Sequence, residues 1–419
     1  MVKRQKIHYY VNEDPGSDKY GQEDPALGIV IDWKWVRKQY DDLNMPKIYH
    51  DPLKPDFDRF GYSIDMSDRS RGKTTNKLIV GLILFAGYGI ITHYLRRNSQ
   101  QCELREIRAL YDTVISCGYI EKITGGKYNM IGYRGKRWYL QLVDDAGTVV
   151  EQSPQHCTIC FGLDESDALK SIYNCPTGDW IYYDEFIQTI QGYNDFIWFQ
   201  DLCKTIIRDR LGSVINLSAN TINKHHQFFD EFGIRDEIES LKFGEHMEIA
   251  TDLGTHIYIE IISPNTSETR QRVNRRFFGF RNSRTSSITG RGEWATETFQ
   301  HIPKTPPATK PQPRVMINTV FLERHGRLVK LKLVNHPDLG VSVFAMPATK
   351  LYDDSIIFTA DDLKDRRYVF GFGRSTPLEV FWTLYAQNRW WYASNGLGSL
   401  VKSYVSYTNT KIKSMRGTV

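Results

Sequence analysis

Ile64-Asp65-Met66-Ser67-Asp68-Arg69-Ser70-Arg71-Gly72-Lys73-Thr74-Thr75 is the stretch that decides the fold. From Ser67 to Thr74 it follows the pattern Gly, four free positions, Gly-Lys-Ser/Thr of a phosphate-binding loop, with Ser67 where the first glycine belongs. The flanks suit that reading: Phe60 to Met66 reads as a strand and Thr75 to Ala86 as an apolar helix. In a strand–loop–helix unit the backbone N–H groups of the loop and of the helix N-terminus face a bound phosphate. The pattern predicts that Ser67, Asp68, Arg69, Ser70, Arg71, Gly72, Lys73, Thr74 and Thr75 surround the phosphates of ATP. Lys73 would reach the outer phosphates, and the Thr74 hydroxyl would bind Mg²⁺. For the loop alone, a basic surface turn is the competing reading.

Trp180-Ile181-Tyr182-Tyr183-Asp184-Glu185-Phe186 is a bulky run that ends in two acids. It predicts a buried strand with carboxylates at its C-terminal end, where α/β sheets hold their ligands. Downstream of a phosphate-binding loop, Asp184 is the expected second Mg²⁺ residue and Glu185 the carboxylate that polarises the attacking water. Ser213 to Asn220 reads as the next strand, and Ser218 and Asn220 at its end are placed to sense the γ-phosphate or to cap a turn. Gly89 to Arg97 reads as a further strand closed by paired arginines. Residues 119–150 read as a pair of hairpins inserted in the alternation. Strands alternating with helices predict a mostly parallel α/β sheet.

The chain has 419 residues, 41% hydrophobic and 25% charged, which suits a globular protein of two or three domains. A formal net charge of +5 is compatible with nucleic acid without demanding it. Cys157 and Cys160 form a C-x-x-C pair with no matching second pair, so the six cysteines read as free thiols rather than a zinc site. The N-terminus is polar, and Leu78 to Thr92 is too short and glycine-rich for a membrane span, so a soluble intracellular protein is expected. Residues 1–55 read as an N-terminal extension carrying a short helix capped by Asp32, and 56–225 as the nucleotide-binding domain.

Residues 226–314 read as a linker region. Within it, Arg270, Arg272, Arg275, Arg276, Arg281, Arg284 and Arg291 interleave with Phe277, Phe278 and Phe280, a pattern that suits a nucleic-acid backbone as well as a solvated face. Pro303, Pro306, Pro307, Pro311 and Pro313 mark its end. Residues 315–419 read as a compact domain of strands followed by helices.

Taken together, these motifs resemble the genome-packaging ATPases of small phi-twenty-nine-like tailed phages. The resemblance rests on Arg69 four positions before Lys73, on Tyr94-Leu95-Arg96-Arg97, and on Asp184-Glu185-Phe186-Ile187. It extends to Arg208-Asp209-Arg210 ahead of Leu217-Ser218-Ala219-Asn220, and to Thr359-Ala360-Asp361-Asp362-Leu363. It covers residues 60–235 best. It implies an ASCE-type P-loop ATPase domain and a C-terminal RNase H-like domain, a vestigial nuclease without cleavage. Lys330 and Lys332 on an early strand of that domain would meet nucleic acid where a two-metal site would need a carboxylate. Also implied is a homopentameric ring docked on the portal of an empty phage head in the host cytoplasm, driving double-stranded DNA inward. Some relatives add a packaging RNA. Arg208 would be the arginine finger in trans, Arg210 the second choice, and Arg69 a competitor acting in cis. Two other readings stay open: a helicase-type motor on single strands, and a non-enzymatic DNA-binding head component.

Overall fold

The computed structural model describes residues 4–277 and 299–408, apart from 70, 171, 176, 178, 189–194, 225, 305–306, 308–310, 325–326, 349, 361–362, 371–378, 395, 399, 403 and 406–407. They fall into two compact units. The first comprises residues 4–222 and 240–277, the second 223–239 and 299–408.

The first unit is built on ten strands: β1 (Tyr62–Met66), β2 (Thr92–Arg96), β3 (Met130–Arg134), β4 (Arg137–Val143), β5 (Val149–Gln152), β6 (Thr158–Gly162), β7 (Trp180–Asp184), β8 (Val214–Ala219), β9 (His246–Ala250) and β10 (His256–Ile261). Their order is β3-β4-β6-β2-β7-β8-β1-β10-β9, with β5 paired to β4. The six strands from β6 to β10 run parallel, and the antiparallel pieces sit at the two ends. Strands β6, β7 and β8 are buried at every position, as expected for a parallel sheet covered on both faces. β8 separates β1 from β7, so the loop strand and the acidic strand are not neighbours.

Helices α1 (Trp33–Asp41) and α2 (Lys73–Tyr88) lie together over this sheet. Asp32 caps α1 by accepting from the Lys34 and Trp35 amides. α2 is apolar almost all round, the signature of a helix buried in the interior. Gly81 lets it come close to the sheet, because a Cβ there would meet Thr92 Oγ1 at 2.1 Å. The remaining α-helices of this unit are α3 (Asp112–Ser116), α4 (Tyr119–Thr124), α5 (Ser166–Leu169), α6 (Asp195–Ile207) and, after β10, α9 (Glu268–Phe277), and among the described residues no helix is long and apolar enough to cross a membrane.

Three expectations need correcting. Residues 1–55 are no separate extension: Ile29, Ile31, Val36, Tyr40, Leu43 and Leu53 are part of the main core. The first hairpin expected within 119–150 is helix α4, with Gly125 in the left-handed conformation as its C-cap instead of a hairpin turn. The span 226–314 is no single linker either, since β9 and β10 complete the first sheet and residues 223–239 join the second unit.

The second unit contains helices α7 (Gln227–Glu231) and α8 (Arg235–Ser240), joined by a buried ion pair between Asp230 and Arg235. Its sheet comprises β11 (Arg314–Arg324), β12 (Arg327–His336), β13 (Gly340–Pro347), β14 (Ile356–Thr359), β15 (Tyr368–Phe370) and β16 (Trp390–Tyr392), in the order β15-β14-β11-β12-β13-β16. β11, β12 and β13 form an antiparallel meander, and β14 and β15 add to the free edge of β11 in parallel.

Candidate nucleotide and magnesium site

β1 ends at Met66, and the chain turns through Ser67 to Gly72 into α2. Gly72 precedes the helix at φ +71°, a conformation only glycine adopts freely. The Tyr49 ring lies against it: a Cβ there would sit 2.6 Å from Tyr49 Cγ. The turn before β1 is laced to the loop as well, since His50 N donates to Arg71 O (2.8 Å). Free amides at the start of a 16-residue helix, with a lysine and a threonine in its first turn, present donors and positive charge to a phosphate chain.

Lys73 is buried. Its Nζ donates to Ser67 Oγ (2.5 Å) and to Asn220 Oδ1 (2.8 Å). Ser67 in the glycine position therefore holds the ammonium beneath the loop. Burial pushes the Lys73 ammonium below its ordinary value, opposed by Glu185 and Asp184.

At the end of β7, Asp184 meets Thr74, whose Oγ1 lies 3.2 Å from Oδ1 and 3.3 Å from Oδ2. A carboxylate and a hydroxyl side by side are hard oxygen donors of the kind Mg²⁺ takes, and these two residues fit that ion. Asp184 also accepts from Tyr94 (2.7 Å) and Tyr182 (2.8 Å), and Arg96 stands 3.5 Å away. Glu185 follows in the left-handed region, φ +57°, a strained backbone for a non-glycine residue. Its carboxylate accepts from the backbone N–H and the side-chain amide of Asn220. Burial, and then the neighbouring Asp184, push the Glu185 carboxyl above its ordinary range, while Asn220, Lys73 and Arg96 draw it back. Asn220 thus bridges the loop lysine and the second acid.

Of the residues expected from sequence, Ser67, Lys73, Thr74, Asp184, Glu185 and Asn220 come together at one sheet edge. Thr75 occupies the first turn of α2 and Arg69 is exposed on the loop, while Ser70 lies outside the described residues. Ser218 is wholly buried within β8, beside Tyr182. Arg210 is a correction. Its guanidinium is buried against Asp179 (Nε–Oδ1 3.0 Å) and donates to the Cys175 carbonyl (2.8 Å), so it is committed to the interior. Arg208 is exposed at the end of α6, with Nη2 donating to Tyr173 O (2.8 Å). That turn leads into the first residues of β8, the sheet edge opposite the loop and about 16 Å away along a six-residue strand.

Four site residues escaped the sequence reading. Tyr94 and Tyr182 read as apolar strand residues, and nothing in a single sequence shows that their hydroxyls meet Asp184. Arg96 belongs to the arginine pair that closes β2, to which the sequence assigns no role at the site, while its neighbour Arg97 pairs with Asp195 at the start of α6 (2.8 Å). His50 donates no signal at all in the sequence, yet it lies buried within 3.0 Å of Glu260 and 3.8 Å of Asp65. Lys54 (2.6 Å from Glu260) and Lys77 (3.2 Å from Asp65) balance those two acids, which makes the cluster an ion network beneath the loop rather than a cation site. Cys157 and Cys160 are buried free thiols, both part of the main core.

The proposed nucleic-acid residues fall in both units. Arg272, Arg275 and Arg276 are exposed on α9 (Glu268–Phe277), and Arg281 lies outside the described residues. On β12, Lys330 is engaged by Tyr352, donating to its hydroxyl (3.0 Å) with the ring centroid at 4.6 Å, and Lys332 is half-buried. Asp361 and Asp362 lie outside the described residues.

No family model matches the sequence, and no curated protein does. Solved structures do. The bacteriophage phi-29 viral genome packaging motor assembly is similar at TM-score 0.57 and 13% identity, over 86% of this chain and 100% of that one. The phi-28 gp11 DNA packaging motor is similar at TM-score 0.52 and 14% identity, over 86% of this chain and 96% of that one. The chain therefore has the fold of the phage packaging-motor proteins, as its motifs in sequence imply.

Proposed function

We propose that this protein is an ATP-driven motor that moves double-stranded DNA into a preformed phage head. The observation that carries the reading is the gathering of Lys73, Thr74, Asp184, Glu185 and Asn220 at one edge of a parallel sheet. The loop amides and Lys73 hold the phosphates of ATP, and Thr74 and Asp184 hold Mg²⁺. When bound, that ion would neutralise phosphate charge during transfer. Glu185 orients and polarises the attacking water, and Asn220 keeps its carboxylate in place while contacting Lys73. Arg69 remains a cis candidate at the phosphates. Arg208 faces away from its own site, so its part is in trans, completing a neighbour's site within a ring.

The likeness in fold to two packaging motors supports an assembled motor that acts on DNA. The five-fold ring, the portal and a packaging RNA as partners are what the motif resemblance implies. The exposed arginines of α9, with Arg281, and the β12 lysines are the proposed DNA contacts. The strand order of the second unit, a three-stranded meander extended in parallel from its first strand, supports an RNase H-like fold that binds nucleic acid without cutting it. The protein would work in the host cytoplasm, docked on the prohead.

DNA-stimulated ATP hydrolysis by wild type, Glu185→Gln and Arg208→Ala, alone and mixed, tests the reading. Both variants should be inactive, and the mixture should regain part of the rate because each supplies what the other lacks. A mixture as inactive as its components removes Arg208 from the trans role. A wild type that hydrolyses nothing with duplex DNA and proheads present overturns the motor itself.

A further inference from the structure

Arg208 stands where a helix commonly ends in glycine. It follows α6 at φ +53°, with its N–H donating to Lys204 O (2.9 Å), a left-handed turn that strains any residue carrying a Cβ. Its side chain is tied down, with Nη2 donating to the Tyr173 carbonyl (2.8 Å). Tyr173 lies between α5 and β7, outside any helix or strand, and its ring is what fixes it. The hydroxyl lies 2.6 Å from His93 Nε2, and the ring stands edge-on to His93 (centroids 5.7 Å) and to Phe161 (4.9 Å). His93 and Phe161 sit on the adjacent parallel strands β2 and β6 and stack on each other. His93 is wholly buried, and burial lowers its pKa to about 3, so the ring is neutral. Its Nδ1 is 3.2 Å from the Ile91 carbonyl, which can only accept, so Nδ1 carries the proton and Nε2 accepts from the Tyr173 hydroxyl.

Tyr173 therefore joins the sheet interior to an exposed guanidinium: its hydroxyl is held on β2, and its carbonyl takes Arg208 at the surface. A long arginine loses rotamer freedom when it docks, and a carbonyl that already fixes one nitrogen of its fork removes part of that cost beforehand. We propose that Tyr173 is the positioning residue of Arg208, a role that rests on the trans reading of that arginine. The ring anchored on His93 holds the carbonyl that presents the guanidinium to a neighbouring subunit's ATP. Arg210 takes the Cys175 carbonyl from the same stretch, but Asp179 closes that contact in the interior, so only Arg208 is presented.

The experiment uses the full chain with proheads and duplex DNA, and reads kcat and KM for ATP separately. Tyr173→Phe keeps the ring and removes the hydroxyl. Its kcat should fall about tenfold, within the hundredfold that a misplacement of about 1 Å can cost. Its KM should stay at the wild-type value, because its own phosphate-binding loop lies at the other edge of the sheet. Mixed with Glu185→Gln it should regain part of the rate, and mixed with Arg208→Ala it should regain none, which places the defect in the finger. His93→Leu removes the acceptor from the other side and should fall in the same class. His93→Gln, whose amide oxygen can still accept, should recover part of the rate. If Arg208→Ala and Glu185→Gln complement each other while Tyr173→Phe turns over like wild type, or raises KM and complements neither, Arg208 keeps its role and this inference falls. If Arg208→Ala and Glu185→Gln do not complement, the trans reading and this inference fall together.

Discussion

The Thr74 hydroxyl lies 3.2 and 3.3 Å from the two carboxylate oxygens of Asp184, a contact between the first turn of α2 and the end of β7, a strand that is not a neighbour of β1 in the sheet. Asp184 is held for it by the hydroxyls of Tyr94 and Tyr182. Hydrogen bonds to a charged group contribute about 1.5–3 kcal/mol each. Tyr182→Phe should therefore raise the Mg²⁺ concentration needed for half-maximal hydrolysis about tenfold, with thermal stability nearly unchanged. A magnesium titration that does not move would show that the tyrosines do not position the carboxylate.

Glu185 should set the acid limb of the pH–rate profile. Burial and the adjacent Asp184 raise its carboxyl above the ordinary range, so hydrolysis should fail as pH drops through a value higher than that of a free glutamate. Asn220→Ala removes the amide donor that favours the ionised form. The limb should then move further up and kcat should fall about tenfold, the worth of one charge-assisted hydrogen bond. An unmoved limb would assign Asn220 to Lys73 alone.

Arg208 and Arg210 should separate by stability. Arg210→Ala strands Asp179 in the interior, and breaking a buried ion pair costs about 3–5 kcal/mol. Arg208 is exposed, so Arg208→Ala should melt within a degree or two of wild type while losing hydrolysis in the assembled ring. Equal melting temperatures for the two variants would contradict this placement.

Beneath the loop, Glu260 gives the first unit an acid-sensitive component. Burial alone would raise its carboxyl, but the His50 hydrogen bond and charge, followed by Lys54, prevail and hold it at about 2 against 4.5. A lowered acid pKa stabilises the folded state above the unfolded value and loses that contribution as pH falls toward the folded one. Urea unfolding at pH 6 and pH 3 should show the stability advantage of wild type over Glu260→Gln shrinking by roughly 2 kcal/mol. A constant difference would mean that the ion network carries no linkage.

Much of the site could be read from the chain alone because it depends on local order. Ser67 to Thr74 must be contiguous to wrap a phosphate, and Tyr182-Tyr183-Asp184-Glu185 declares a buried strand with acids at its exit. Apolar runs broken by turns likewise marked β1, β2, β7 and β8, since a strand covered on both faces has no polar face to show. Turn chemistry misled where one signal has two uses: Gly125-Gly126 suits a hairpin and equally caps helix α4.

The sequence by itself determined the phosphate-binding loop, its acidic partner strand and the α/β alternation, because each is written in neighbouring residues. Only the tertiary structure decided which distant side chains meet. It drew Asn220 between Lys73 and Glu185, set Tyr94 and Tyr182 on Asp184, buried Arg210 against Asp179 and left Arg208 exposed. The physical reason is that strand order, β8 lying between β7 and β1 and β10 beyond β1, is settled by the packing of the whole sheet. No local window carries that information. The exits of β1 and β10 are joined, Ile262 N donating to Met66 O, only because β10 lies beside the strand that feeds the loop.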